Sequence, residues 1–319
     1  MALKASAAPS RVAGVDWVNQ GIMAGWPGGN PGCITWSGTQ FCLGGPSGRV
    51  STSPDGVTWT YRAGLAATAW GTASCISITW NGTIFCIVGT IGKVATSPDG
   101  ITWTNQTSLG ATTWGVTATV NAIAWSGTKF CVSGDTGKIA TSPDGVTWTY
   151  QGGLATTTWA ASNGRSIAWN GSIFCAVGAQ GKAATSPDGV TWTYRAGLAA
   201  TAWASNAASY NSTVWTGTQF CTIGGAKAAT SPDGITWTYQ GGLSVAVGGG
   251  SITAGITWGG TQFCAIGNFG KIATSPDGIT WTYQGGLIAA GVSASPTAIA
   301  WNGTIFCVSC NLGRIATSP

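Results

Sequence analysis

The stretch SIAWNGSIFCAVGAQGKAATSPDGVTWTYRA, Ser166 to Ala196, decides how the rest of the chain is read. Ser166–Trp169 reads as a strand, and Asn170-Gly171 is a two-residue hairpin turn. Ser172–Val177 is a second strand, followed by a Gly-rich turn through Gly181. Lys182–Thr185 is a third. Ser186-Pro187-Asp188-Gly189 has the residue order of a type I turn, and Val190–Tyr194 is the outer strand. The Asp carboxylate of such a turn can accept backbone N–H bonds, and the Thr-Trp that follows places a large ring where it can pack beneath. The result is a small antiparallel sheet, with a longer link to whatever follows.

The same unit recurs along the whole chain. A Phe-Cys pair carries its Cys at 42, 86, 131, 175, 221, 264 and 307, a period of 43 to 46 residues. A Trp six residues earlier keeps that register at Trp36, Trp80, Trp125, Trp169, Trp215, Trp258 and Trp301. A period near 44 residues with several short strands per unit marks a β-propeller blade. The expected fold is therefore all-β: a seven-bladed β-propeller of four-stranded antiparallel blades. The turn is complete six times, at Asp55, Asp99, Asp144, Asp188, Asp233 and Asp277, and is cut short at Ser318-Pro319. Gly14-Val15-Asp16-Trp17-Val18-Asn19-Gln20 resembles the missing half, so residues 14–20 should supply the outer strand of the last blade. That pairing removes the open edges that a linear array would leave. Residues 1–13 are read as an N-terminal tail and 14–319 as one propeller domain.

Composition agrees. The chain holds 51 Gly and 19 Trp, is 44% hydrophobic, and has only 7% charged residues with a net charge of +5. A disordered chain is excluded, and the mild basicity without a Lys/Arg run argues against a nucleic-acid partner. No apolar stretch is long enough for a membrane helix, and the first residues lack the apolar core of a signal peptide. Synthesis in the cytosol without Sec-type export is expected.

Ser-Pro-Asp-Gly-x-Thr-Trp resembles the Asp-box of BNR-like repeats, Ser-x-Asp-x-Gly-x-Thr-Trp, with one residue fewer between Asp and Gly in every copy. The likeness covers residues 14–319. It implies propeller blades and leaves function open, because Asp-box propellers include sialidases, other glycoside hydrolases, photosystem assembly factors and virion-associated tail proteins. The motif set also resembles propeller domains of phage tail and tail-fibre proteins. That likeness implies a virion component assembled in the host cytoplasm, with a cytoplasmic protein as the alternative. Thr52–Gly71 and Thr185–Ala204 are nearly identical, so the units look recently duplicated.

Catalysis is not expected. The chain contains no His and no Glu, and six of its eight Asp residues belong to the repeated turns; the others are Asp16 and Asp135. Glycoside hydrolysis needs two flanking carboxylates, and neutral-pH acid–base work usually needs His or a tuned carboxylate. The resemblance to sialidases fails at the Glu such a site requires. Neither a cofactor nor a metal is expected. The seven Phe-Cys cysteines repeat around the ring, where packed sheets lie about 10 Å apart, beyond disulfide reach. They read as small buried apolar residues in a reducing compartment. Cys33, Cys75 and Cys310 lie outside that pattern.

Two constellations could bind something. Each turn before a third strand carries one cation, at Arg49, Lys93, Lys138, Lys182, Lys227, Lys271 and Arg314, with the Asp turns at the opposite end. This ring is either a set of solvated side chains or a positive annulus for an anionic ligand. The links carry Trp26, Trp70, Trp114, Trp159 and Trp203, whereas those at 242–254 and 286–298 carry none. These rings either plug the gaps between blades or lie exposed for stacking on sugars. Two function classes follow: a glycan-binding module of a virion or other surface, and a structural component that docks other proteins. A lectin-like or assembly-factor-like scaffold is the further alternative.

Overall fold

In a computed structural model the chain forms seven four-stranded antiparallel sheets arranged in sequence order. The structure describes residues 12–319 except parts of the links: 64, 66–69, 107–108, 110–113, 115–117, 153, 155–158, 160–162, 197, 199–211, 247–251, 253 and 293. Blade four shows the pattern, with strands at Gly164–Trp169, Phe174–Gly178, Lys182–Ser186 and Thr193–Arg195. Two strands start later than the sequence suggests, and side-chain capping is the reason. Asn170 Oδ1 accepts from the amides of Ser172 and Ile173 at 2.9 and 2.8 Å, which holds both residues in the turn. Asp188 Oδ1 accepts from Val190 and Thr191 at 2.8 Å each, so the outer strand cannot begin before them.

Aromatic packing repeats from blade to blade. Each inner-strand Trp tilts onto the Phe of the next strand with ring centroids 4.4–4.7 Å apart. In the six complete motifs the Trp after the Asp turn donates its Nε1–H to the turn glycine carbonyl at 2.9–3.1 Å. The turn glycine makes the contact between blades. A methyl group at Gly189 would lie 2.9 Å from Thr141 Cγ2 and 3.5 Å from Cys131 Sγ, both in the preceding blade. Its φ of +74° also favours glycine. Equivalent approaches occur at Gly145, Gly234 and Gly278, always against the previous blade's Cys and Thr.

The ring closes as the split motif predicts. Val18–Ile22 pairs antiparallel with Arg314–Ser318, matching Val18 with Thr317 and Ile22 with Arg314 around a bulge at Gln20. The strand begins at residue 18 rather than 14, because Gly14–Trp17 forms the turn instead. Trp17 Nε1 donates to the Gly14 carbonyl at 3.0 Å, as its counterparts do. Gln20 Nε2 donates to Thr317 Oγ1 at 2.6 Å, repeating the bond of Gln151 to Thr141 at 2.8 Å. Gln262 of blade six reaches the Ala13 carbonyl at 2.5 Å, as Gln219 of blade five reaches that of Asp277 at 2.8 Å.

Removing residues 1–22 deletes the outer strand of blade seven and uncovers the edge of Arg314–Ser318. The truncated protein should aggregate or lose roughly 10 °C or more of Tm. A monomer with the full-length melting temperature would show that closure adds nothing.

Candidate functional site: link face and axial channel

The links between blades and the turns before the third strands lie at one end of the ring. Thr90, Asp135 and Ala179 in those turns donate their amides to the carbonyls of Ser74, Thr119 and Asn163, which lead into the inner strands. The tip residue of each turn is left-handed, for example Thr136 at φ +56° and Gln180 at φ +60°. This end is the link face, and both candidate constellations belong to it.

The link tryptophans are plugs, which corrects the sugar-stacking expectation. Trp70, Trp114 and Trp159 are fully buried, and Trp26 is 7% exposed; Trp203 lies outside the described residues. Trp70 is wedged so closely that a methyl on Gly48 of blade one would come within 2.8 Å of its ring and one on Gly89 of blade two within 3.1 Å. Trp26 sits likewise between Gly313 of blade seven and Gly45 of blade one. The physical reason is the gap that opens between blades as they fan outward, which only a large apolar ring fills. The Trp-less links fill it with short helices at Gly242–Ala246 and Gly286–Ala289, where Leu243 and Leu287 are buried, aided by Ile252 and Val292. A second periodic signal went unread in the sequence. Six residues after the turn Trp comes a buried Leu at 65, 109, 154, 198, 243 and 287, with Met23 in the same place after Trp17.

The seven cations are half-buried, and three of them turn their charged ends onto link carbonyls. Arg49 donates to the Gly28 carbonyl at 2.5 Å, and Lys182 to the Trp159 carbonyl at 2.6 Å; Lys138 does the same for Trp114. The ring thus ties links to turns at these three positions. Lys93, Lys227, Lys271 and Arg314 occupy the same place in their own blades.

At the opposite end the Asp carboxylates staple their own turns. Each Oδ1 accepts two backbone amides at 2.7–2.8 Å and the preceding Ser hydroxyl at 3.0–3.1 Å. Slight burial pushes these carboxyls upward, and the donated hydrogen bonds outweigh it, so all six are held below the usual carboxylate range. That is the opposite of what a general acid needs. All ten cysteines are free and buried, and desolvation raises their thiols, Cys33, Cys175 and Cys310 to about 12. Thiols so placed are poor nucleophiles. Cys33 and Cys75 sit close together, since a methyl on Gly44 would touch both. Among the described residues no group of three or more potential ligands gathers to hold a metal, and no helix is long and apolar enough to cross a membrane.

Two features of the link face stand out. The left-handed tip is Ser47, Thr136 or Gln180 in blades one, three and four, Ile91 and Ala226 in blades two and five, and Phe269 and Leu312 at φ +57° and +61° in blades six and seven. Phe269 is 74% exposed, Leu312 60%, and Ile288 on the adjoining short helix 61%. A bulky residue in that backbone region is strained, and here it gains no packing in return. The second feature is the axial channel, of about 190 Å³, lined by the inner strands of all seven blades. Its lining mixes isoleucines with the polar Ser77, Asn121, Ser166, Ser212 and Thr297, and Arg165 is the one charged lining residue.

No family model matches the chain, and no curated protein matches it by sequence. Solved structures do. YCF48 bound to D1 peptide is similar with a TM-score of 0.70 at 16% identity, over 97% of this chain and 99% of that one. Selenomethionine-substituted virginiamycin B lyase from Staphylococcus aureus gives 0.73 at 11% identity, over 95% and 98%. A chain of the mitotic checkpoint complex gives 0.62 at 12%, over 100% and 98%. The class is therefore settled: this is a seven-bladed β-propeller. Identities this low carry the fold and nothing finer.

Two measurements check the assignments made here. Trp114→Ala should cost about 3–5 kcal/mol in denaturant unfolding, as a buried ring lost from a gap that cannot collapse does. A change under 1 kcal/mol would return that Trp to the surface. The turn carboxylates, lowered in the folded state, contribute stability that is fully present at neutral pH. It is lost as pH falls through the ordinary and then the lowered carboxylate range. Asp188→Asn should therefore lower Tm at pH 7, and its difference from wild type should shrink steadily below pH 4. A difference independent of pH would mean that the charged form is not what the turn holds.

Proposed function

We propose that this protein is a non-catalytic scaffold that docks other proteins through the link face over blades six and seven. The observation that carries the reading is the trio Phe269, Ile288 and Leu312. Apolar side chains stand exposed there, Phe269 and Leu312 at the turn tips of adjacent blades and more open than Ile91 at 42%, with Ile288 on the short helix beside Phe269. The short helix Gly286–Ala289 packs against the Asn268–Gly270 turn, so Ile288 and Phe269 belong to one surface. Val245, 82% exposed on the preceding link helix, extends the apolar surface toward blade five. Such anchors gain free energy when a partner covers them, and Phe is well suited to that role.

The residues available for chemistry point the same way. The chain has no His or Glu, its turn carboxylates are spent within their turns, and its thiols are buried. A variant of the neighbouring virginiamycin B lyase with one histidine replaced by alanine is catalytically inactive, and this chain has no histidine to offer. Other neighbours are structures of assemblies, YCF48 with a D1 peptide and the mitotic checkpoint complex, which favours a protein partner here too. The assembly in question is a virion of the kind that the phage-tail resemblance implies, with neighbouring structural proteins as the partners. Host glycans leave the proposal, because the rings meant to stack on them are buried at every described position.

Photo-crosslinking tests this in the native particle or cell. A benzophenone amino acid at position 269 should give a discrete adduct with a protein identifiable by mass spectrometry. The same group at position 190, on the Asp-turn face, should not. Phe269→Ala should weaken binding to that partner at least tenfold while leaving Tm within a degree or two, since an exposed side chain contributes little to stability. Equal labelling from both positions, or none from 269, would defeat the proposal.

A further inference from the structure

The axial channel breaks the symmetry of the ring at one level. Counting back from the inner-strand Trp, the residue four positions earlier is Gly32, Ile76, Asn121, Arg165, Ala254 and Thr297 in the blades where it is described. In blades two, three, four and seven this residue lies at a register shift, between paired neighbours, and it lines the channel near the link face. Only blade four places a charge there. The guanidinium of Arg165 has its Nε buried without a hydrogen-bond partner, and among the described residues no ion pair or other hydrogen bond holds the group. A guanidinium in a narrow channel whose lining offers no counter-charge is a costly arrangement for a structural residue.

The serines one position further along complete the site. Ser77, Ser166 and Ser212 line the same channel. Each Oγ accepts a backbone amide from the next blade: Ile123 at 3.3 Å, Thr213 at 3.0 Å and Ile256 at 3.3 Å. An amide donated to a hydroxyl leaves its O–H free, and none of the three donates to a protein group in the structure. The Asp135 carboxylate, linked through Asn121 to the backbone beside Arg165, is already engaged. Asp135 accepts from the Thr119 amide at 3.0 Å and from Asn121 Nδ2 at 3.1 Å, and Asn121 also donates to the Gly164 carbonyl at 3.0 Å. Donors without acceptors therefore face the channel from three blades, around one unpaired cation.

We propose that the axial channel binds a small oxyanion, a carboxylate or a phosphate, with the Arg165 guanidinium as its counter-ion and the Ser77, Ser166 and Ser212 hydroxyls as further donors. The planar fork of Arg suits two oxygens of either group, and the volume admits a small anion with some of its water. The site is independent of the apolar docking trio, which lies on the outer surface.

Isothermal titration at low ionic strength, with inorganic phosphate and with succinate as the probes, tests the proposal. At least one should bind saturably with one site per chain and raise Tm; which one does assigns the chemistry. Arg165→Gln should lose that binding at least tenfold, Arg165→Lys should keep part of it, and Ser166→Ala should weaken it several-fold. Because Arg165 holds no protein partner, Arg165→Gln without anion should melt no lower than wild type, which separates lost binding from lost structure. Absence of saturable binding by wild type for both probes overturns the proposal. So does binding that Arg165→Gln leaves unchanged.

Discussion

Everything in this ring depends on how closely one blade can approach the next. The approach is set where the turn glycine of one blade meets the Cys and Thr of the blade before it. At Gly189, Gly234 and Gly278 a methyl group would press within 2.9, 3.2 and 2.9 Å of a Thr in the blade before, and the left-handed backbone there admits few residues besides glycine. Small residues on both sides bring the sheets into contact, and the aromatic stack of inner Trp, Phe and turn Trp then fills each blade from within. Cysteine serves this contact as a small, dense, apolar residue, which accounts for thiols that are numerous, buried and chemically quiet.

Farther from the axis the blades diverge, and a different device takes over. The link Trp and the Leu that precedes it fill the widening gap, while Arg49, Lys138 and Lys182 tie the link back to the turn beside it. Cations on the link face are thereby part of the framework. A hydrogen bond from an ammonium to a carbonyl satisfies both groups where a solvated lysine would leave the link carbonyl bare. Closure follows the same rules, since Gln20, Trp17 and Gly14 make the contacts of their counterparts although they come from the other end of the chain.

Function is sought where the repeat is broken. A residue that recurs in every blade serves the blade, and a residue that departs from its siblings at some energetic cost needs another reason. Phe269 and Leu312 stand on the link face as the most exposed apolar residues at the turn tips, in strained backbone. Arg165 departs at the axis, charged and without a partner. These are separate departures, one apolar and broad, the other polar and enclosed, and they suit ligands of different kinds.

The sequence alone determined the number of blades, the order of strands within each, the turn chemistry and the closure. All of these depend on local periodicity and on residues adjacent in the chain, such as Ser186 to Gly189. It also marked the Asp residues as turn groups, because the Ser, Asp and Gly that bond one another lie within three positions. Whether Trp70, Trp114 and Trp159 face water or the interior was decided only by the tertiary structure. A ring on a link has the same local sequence in either case, and the gap it fills is made by two blades. The inward turn of Arg49, Lys138 and Lys182 and the convergence of Arg165 with Ser77 and Ser212 were decided there too. Arg165 lies two repeats from Ser77 and one from Ser212 in the chain, and only the closing of the ring brings them to one axis.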